Sequence, residues 1–309
     1  MKTFNEVINA LNFPVSLRAN MAEDMSGKLV RGLGQQVLRE DRNVFIADVS
    51  DGYGLVQHGA SLAPVLQVLD GLDFILKAVK MDHDGKTVMV KAHSRQSWAI
   101  GKLPNGQVIN DHGGLLKGTD LTDDRVVLVL EFSNSYDRTK ALSLSLGAYR
   151  VICSNGMVAS HPAFDTLNIE RKVVHSINAV KVFDPSSLVN NVAALYAAME
   201  KQAEAWRMMK QTRYAITALE ALKEKVLLPI VGKRAVDAVA EAALHGKGQD
   251  GTLTAWALYN GLTEVLTEKA EKSKTPVAAE TRFRNKNFEF LTALHAWENE
   301  NQALVTVNA

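Results

Sequence analysis

FILKAVKM (residues 74–81) and KTVMVKAH (residues 86–93) flank the dipeptide Asp84-Gly85, and this stretch decides the fold class. Asp-Gly supplies the positive φ angles that a tight hairpin turn needs, between two runs of strand-forming residues. In the second run Thr87, Met89 and Lys91 alternate with Val88, Val90 and Ala92, so one face of that strand is expected to be the more polar. Working outward, Val44–Val49 and Tyr53–Gln57 read as strands on either side of the turn signal Asp51-Gly52. Val126–Phe132, Ala141–Leu146 and Tyr149–Cys153 follow, the last ending at the turn Ser154-Asn155-Gly156. Short helices fit residues 3–12, with Phe4, Val7, Ile8 and Leu11 on one face, and the segment capped by Ser61, with Pro64 in its first turn and Leu66, Leu69 and Leu72 inward. Residues 15–42 are polar and punctuated by glycine, and Arg18, Glu23, Asp24, Lys28 and Arg31 read as solvated surface. Residues 101–123 read as one long loop, a length that points to function or motion.

From Asp184-Pro185 the apolar period changes to that of a helix. A helix over 185–210 carries Leu188, Val192, Leu195, Met199, Trp206 and Met209 on one stripe, and 213–228, 233–244, 252–272 and 278–298 follow as helices separated by Pro229, Gly246–Gly251 and Pro276. The expected class is α+β: residues 1–180 mainly antiparallel sheet with short helices, residues 181–309 helical and packed on the sheet as one unit.

Hydrophobic residues make up 47% of the 309, enough for a sizeable core. With 35 basic residues against 34 acidic the net charge is +1, which argues against a binder driven by overall positive charge but leaves room for a local basic groove. The single cysteine, Cys153, excludes an internal disulfide and fits a reducing cytoplasm. No run approaches the roughly 18 apolar residues of a membrane span, and no signal-peptide pattern opens the chain. No phosphate-binding glycine loop, dinucleotide fingerprint or zinc spacing occurs. Cys153 reads as a strand cysteine before it reads as a nucleophile, Asp82-His83-Asp84 as a hairpin tip before a metal site, and His112-Gly113-Gly114 as a turn before an anion cradle. No enzyme class, cofactor or metal is therefore expected.

One surface could carry binding. Lys77, Lys80, Lys86, Lys91, Arg95 and Lys102 stand against only Asp82 and Asp84 between residues 77 and 102, with Trp98 among them. Charge that tracks phosphates beside a ring that stacks a base is the pattern of single-stranded nucleic-acid binding; a solvated sheet with Trp98 in its core is the plainer alternative. Arg282, Arg284 and Lys286 interleave with Phe283 and Phe288 as a second candidate.

Tyr149-Arg150-Val151-Ile152-Cys153-Ser154-Asn155-Gly156-Met157 resembles the signature of the phage/plasmid-like proteins grouped as domain of unknown function 932, in which Arg150, Cys153, Asn155 and Gly156 are the matching positions. Tyr53–His58 is similar to that family's strand-to-helix segment, Leu130–Asp137 with Asn134 and Asp137 to its hairpin, and Trp256–Glu264 to its C-terminal helix motif. The chain departs from the pattern at Tyr136 and Arg138, where glycine and other small residues are frequent. The resemblance implies a mobile-element setting but no activity, and Asn134, Asp137, Arg150, Cys153, Asn155 and Gly156 are expected to be structural: Arg150 paired with an acid or carbonyls, Asn155 serving a turn. The leading expectation is a non-enzymatic protein that binds or anneals single-stranded DNA through Lys77, Lys80, Lys86, Lys91, Arg95 and Trp98. The alternative is a protein that inhibits a host anti-phage defence complex. A homo-oligomer without membrane contact is expected in either case.

Overall fold

The computed structural model describes residues 3–72, 74–106, 108–110, 120–152, 155–159, 162–167, 171–173 and 186–307. Cys153 and the His112-Gly113-Gly114 segment lie outside the described residues. The chain is α+β, with antiparallel sheets in its first half and helices in its second. It forms two compact units that interleave in sequence: Met1–Ala92, Leu130–Ser145 and Asn168–Val192 make the first, and His93–Val129, Leu146–Leu167 and Ala193–Ala309 the second. The boundary expected at residue 180 falls inside a sequence segment assigned to the first unit.

The first unit opens with helix α1 (Phe4–Leu11), closed at its start by a reciprocal pair of bonds between Thr3 and Glu6 and burying Phe4, Val7 and Leu11. Strands β1 (Val15–Glu23), β2 (Leu29–Arg39) and β3 (Val44–Val49) then form an antiparallel sheet in that order. The first two occupy the region read as irregular surface. Their outer halves are exposed on both faces, so they lack the one-sided apolar alternation by which a strand is recognised. Between Ala19 and Met21 the β1–β2 register shifts, β2 bulging over Gly32–Gly34. Gly34 holds φ +78, and a Cβ there would stand 2.6 Å from the Val49 carbonyl oxygen.

Tyr53–Gln57, expected as a strand, instead runs as a connection into helix α2 (His58–Gly71). Its side chains explain why: Tyr53, Gln57 and His58 turn inward to bond other segments instead of continuing a ladder. The hairpin of β4 (Phe74–Asp82) and β5 (Thr87–Lys102) is as expected, with Asp84 at φ 56 and Gly85 at φ 88. The expected polar face of β5 is not present: Thr87 to Ser94 are buried on both faces. In the sheet order β10-β9-β8-β5-β4 this strand is central, and central strands covered on both sides need no alternation.

The remaining strands are the short pair β6 (Ile109–Asn110) and β7 (Asp120–Leu121), then β8 (Asp123–Ser135), β9 (Leu142–Arg150), β10 (Gly156–Met157) and β11 (Arg171–Val173), which pairs with β9. Strands β5, β8 and β9 each run from one unit into the other. Helix α3 (Ser186–Gln211) buries Leu195, Met199 and Trp206. The region expected as a helix from 213 starts instead with strand β12 (Thr212–Tyr214), paired with β13 (Val305–Val307). Helical structure then runs through α4 (Leu219–Leu222), a π turn (Lys223–Leu227) and α5 (Leu228–Val231). Pro229 thus lies within the helical run and does not end it; the wider π turn just before it relieves the amide and carbonyl conflict that proline brings. Helices α6 (Val236–His245), α7 (Ala255–Glu271) and α8 (Pro276–Glu300) complete the second unit.

Gly34→Ala is expected to lower unfolding stability by about 2 kcal/mol or more, from left-handed strain plus the contact with Val49. Urea denaturation measures it, and an unchanged midpoint would show that the bulge relaxes freely.

Candidate functional site

The sequence motifs meet in two pairs, each forming a buried polar centre. In the first unit Tyr53–His58 meets Leu130–Asp137. His58 is fully buried; its Nε2 lies 2.8 Å from the Gly85 carbonyl oxygen and its Nδ1 3.0 Å from Asn134 Nδ2. These partners assign the hydrogen to Nε2, which donates to the carbonyl, while Nδ1 accepts from the amide. Asn134 Nδ2 also donates to the Val56 carbonyl at 2.9 Å. Tyr136 accepts at its hydroxyl from the His58 backbone N–H at 2.9 Å and donates to Gln57 Oε1 at 3.2 Å, and the Tyr53 hydroxyl donates to the Tyr136 carbonyl. Burial raises the Tyr53 and Tyr136 phenols above the ordinary range, so both stay neutral. Arg39 lies over the Phe13 ring, is held by both Asp41 oxygens and donates to the Asp84 carbonyl. Gly85 is obligatory there, since a Cβ would stand 2.6 Å from Phe13. With both ring nitrogens hydrogen-bonded, His58 holds the α2 entrance against the hairpin turn.

Asp137 fixes the β8–β9 connection. Its Oδ1 accepts from the Thr139 N–H at 3.0 Å and its Oδ2 lies 3.3 Å from Lys86 Nζ. Burial pushes its carboxyl up, but the Thr139 and Lys86 bonds outweigh this and hold it below the ordinary range. Arg138 takes φ 65, the left-handed conformation for which glycine is the usual residue.

In the second unit Tyr149–Met157 meets Trp256–Glu264. Arg150 and Asp124 are buried, and Asp124 receives Arg150 Nε at 2.8 Å and Nη2 at 2.7 Å. Trp256 Nε1 donates to the same carboxylate at 3.1 Å, and Lys210 Nζ stands 3.5 Å away. Arg150 further donates to the Lys247 carbonyl at 3.1 Å; an acid or carbonyls are expected of it, and it has both. Burial pushes the Asp124 carboxyl up, yet Arg150, Lys210 and Trp256 hold it below the ordinary range. Burial pushes the Lys210 ammonium down, and Asp124 opposes the shift. The Gly156 N–H donates to Thr267 Oγ1 and the Val158 N–H to the Tyr259 hydroxyl, which ties β10 to α7. Asn155 contributes its carbonyl to the Arg150 N–H, while its buried Nδ2 has no hydrogen-bond partner among the described residues. Asp124 carried no sequence signal: it opens β8 beside Asp123 and reads as a turn charge.

The residues expected to contact nucleic acid fall in both units. Lys77, Lys80, Lys86 and Lys91 belong to the first unit, Arg95 and Trp98 to the second. Lys77 and Lys80, three apart on one strand, point to opposite faces. Lys91 is 7% exposed and 3.2 Å from Glu131, and Lys77, Lys80 and Arg95 are engaged within the protein. Trp98 is buried with its ring edge-on to Tyr196. In the second candidate patch, Arg284 donates to the Leu146 carbonyl and Lys286 to that of Ile230. Among the described residues no cluster of His, Cys, Asp and Glu could hold a metal, and no helix is long and apolar enough to cross a membrane.

A different surface stands out. The outer halves of β1 and β2, with the turn between them, expose Met21, Met25, Leu29, Val30 and Leu33, and Phe45 of β3 is also exposed. Leu33 is 93% exposed. Among the described residues these side chains have no apolar cover; they lie on both faces of the two strands, and exposed apolar side chains gathered on one element mark interaction sites.

A family model described as Domain of unknown function (DUF932) matches residues 45–294. No curated protein and no solved structure matches the chain. All four motifs lie within the matched residues, whereas β1 and β2 precede them.

Asp124→Asn is expected to cost about 3–5 kcal/mol, because it leaves buried Arg150 without its counter-charge. Since the Asp124 carboxyl is held down in the folded protein, its contribution is complete above the ordinary carboxylate range near pH 4 and is lost as pH falls through the folded value. Urea midpoints measured from pH 7 downward should therefore fall for wild type and stay flatter for Asp124→Asn. Parallel profiles would exclude Asp124 as the source.

Proposed function

This chain belongs to the family described as a domain of unknown function, DUF932, and we propose that it works by association: it is an interaction protein that docks another protein through the β1–β2 arm. The observation that carries this reading is the exposure of five apolar side chains, Met21, Met25, Leu29, Val30 and Leu33, on one pair of strands and the turn between them. Fully burying a side chain of this kind favours association by about 1.5–3 kcal/mol, against the cost of immobilising two bodies. Inhibition of a host anti-phage defence complex is the setting this reading proposes.

A single-stranded nucleic acid draws less support. Base stacking needs an exposed ring, and Trp98 is buried. Phosphate contact needs accessible charge, and Lys91 is enclosed with Glu131.

The test compares Leu29→Ser/Leu33→Ser with Lys77→Glu/Lys80→Glu in a phage-plating assay on a host that carries a defence system. The arm variant changes exposed residues, so its stability should stay within about 0.5 kcal/mol of wild type. It is expected to lose the plating effect, while the lysine variant keeps it. The reverse pattern, with wild-type binding of a labelled single-stranded oligonucleotide at about 50 mM salt that weakens steeply as salt rises, would transfer the function to nucleic acid.

A further inference from the structure

Among the described residues strand β1 is the outer strand of its sheet, paired only with β2, and its backbone shows which peptide groups face away. The Glu40 N–H donates to the Pro14 carbonyl and the Asp24 N–H to the Lys28 carbonyl. Even-numbered residues therefore turn their peptide groups towards β2, and odd-numbered ones turn outward. Gln57 Nε2 bonds the Val15 carbonyl, an outward group at the start of the strand. From Leu17 to Glu23 the outward groups have no bonded strand or side chain among the described residues. An open edge beside exposed apolar side chains is a template for another strand.

We propose that a second copy of this chain occupies that edge, pairing β1 antiparallel to β1 about a two-fold axis at Met21; this rests on the reading of the arm as a docking surface. A two-fold axis normal to the sheet keeps every residue on its own face, so outward-bonding odd residues must meet odd residues. With the axis at Met21, the two Met21 side chains meet, Ala19 pairs with the partner's Glu23, and Asn20 with the partner's Ala22. Arg18 then stands opposite the partner's Asp24, at a non-hydrogen-bonded position where opposed side chains lie closest. Both are exposed and neither has an ion pair among the described residues. Asp24 Oδ1 takes the Ser26 and Lys28 amides, leaving Oδ2 for a guanidinium. The symmetry repeats the pair, giving two Arg–Asp contacts at opposite ends of one ladder. An axis at Ala19 sets Arg18 against the partner's Asn20, and an axis at Asn20 sets Leu17 against the partner's Glu23. Charge complementarity therefore selects Met21.

The experiment is sedimentation equilibrium on the full chain with oxidative cross-linking. Wild type is expected to be dimeric. Met21→Pro removes an amide that faces away from β2, so the chain should fold, by circular dichroism, and sediment as a monomer. Arg18→Asp should weaken dimerisation about ten-fold or more. Met21→Cys should cross-link to itself on oxidation, whereas Ala19→Cys, off the axis, and wild type with its native cysteine should not. A monomeric wild type, or a dimer that survives Met21→Pro, overturns the inference. If wild type is monomeric while Leu29→Ser/Leu33→Ser still abolishes the plating effect, the pairing falls and the docking function stands. If wild type is dimeric and that variant keeps the plating effect, the proposed function falls and the pairing stands.

Discussion

The second unit depends on one buried ion pair. Arg150 and Asp124 have left water almost completely, and removing two charges from water costs several kcal/mol each. Their attraction offsets this only because the geometry is two-pronged and the remaining donors are used: Trp256 on the carboxylate, and the Lys247 carbonyl on the guanidinium. That requirement joins β8, which supplies Asp124, to β9, which supplies Arg150, and to α7, which supplies Trp256. Displacing any of the three leaves a charge unpaired in a dry interior, so the pair acts as a lock on their mutual placement.

The first unit repeats the principle without net charge. His58, Asn134, Tyr136 and Gln57 satisfy one another and three backbone carbonyls in a space closed by Phe13 and Arg39. In both units a pair of motifs distant in sequence meets around a buried polar centre, although Asn155 Nδ2 and Asn260 Oδ1 are left without a hydrogen-bond partner among the described residues. The exposed arm has no such motif and precedes the residues the family model covers.

What was legible follows from the same physics. Asp84-Gly85 and the helical period after residue 186 are local signals, and local rules read them. Arg150 is expected to pair with an acid or carbonyls because a charge on a buried strand requires partners, but the acid lies twenty-six residues away at the start of β8, where spacing does not point to it. Lys91 looked like a surface charge because alternation was read as one polar face; on a central strand both faces are inside, and Glu131 supplies its partner. Trp98 illustrates the same limit, since spacing does not say which side of a sheet is closed. Strands β1 and β2 escaped notice because their side chains face solvent on both sides. Arg138 keeps a left-handed backbone where small residues are frequent, held by the Asp137–Thr139 bonds on either side of it.

The central claim is that the buried Asp124–Arg150 pair holds the second unit together. A double-mutant cycle in urea on Asp124→Leu and Arg150→Met tests it most directly. The account predicts that each single change is severely destabilising, because each leaves one buried charge behind. The double change should recover a large part of the loss, with a coupling energy of about 2 kcal/mol or more between the two positions. Single changes that add without coupling, or that leave stability at the wild-type level, would contradict it.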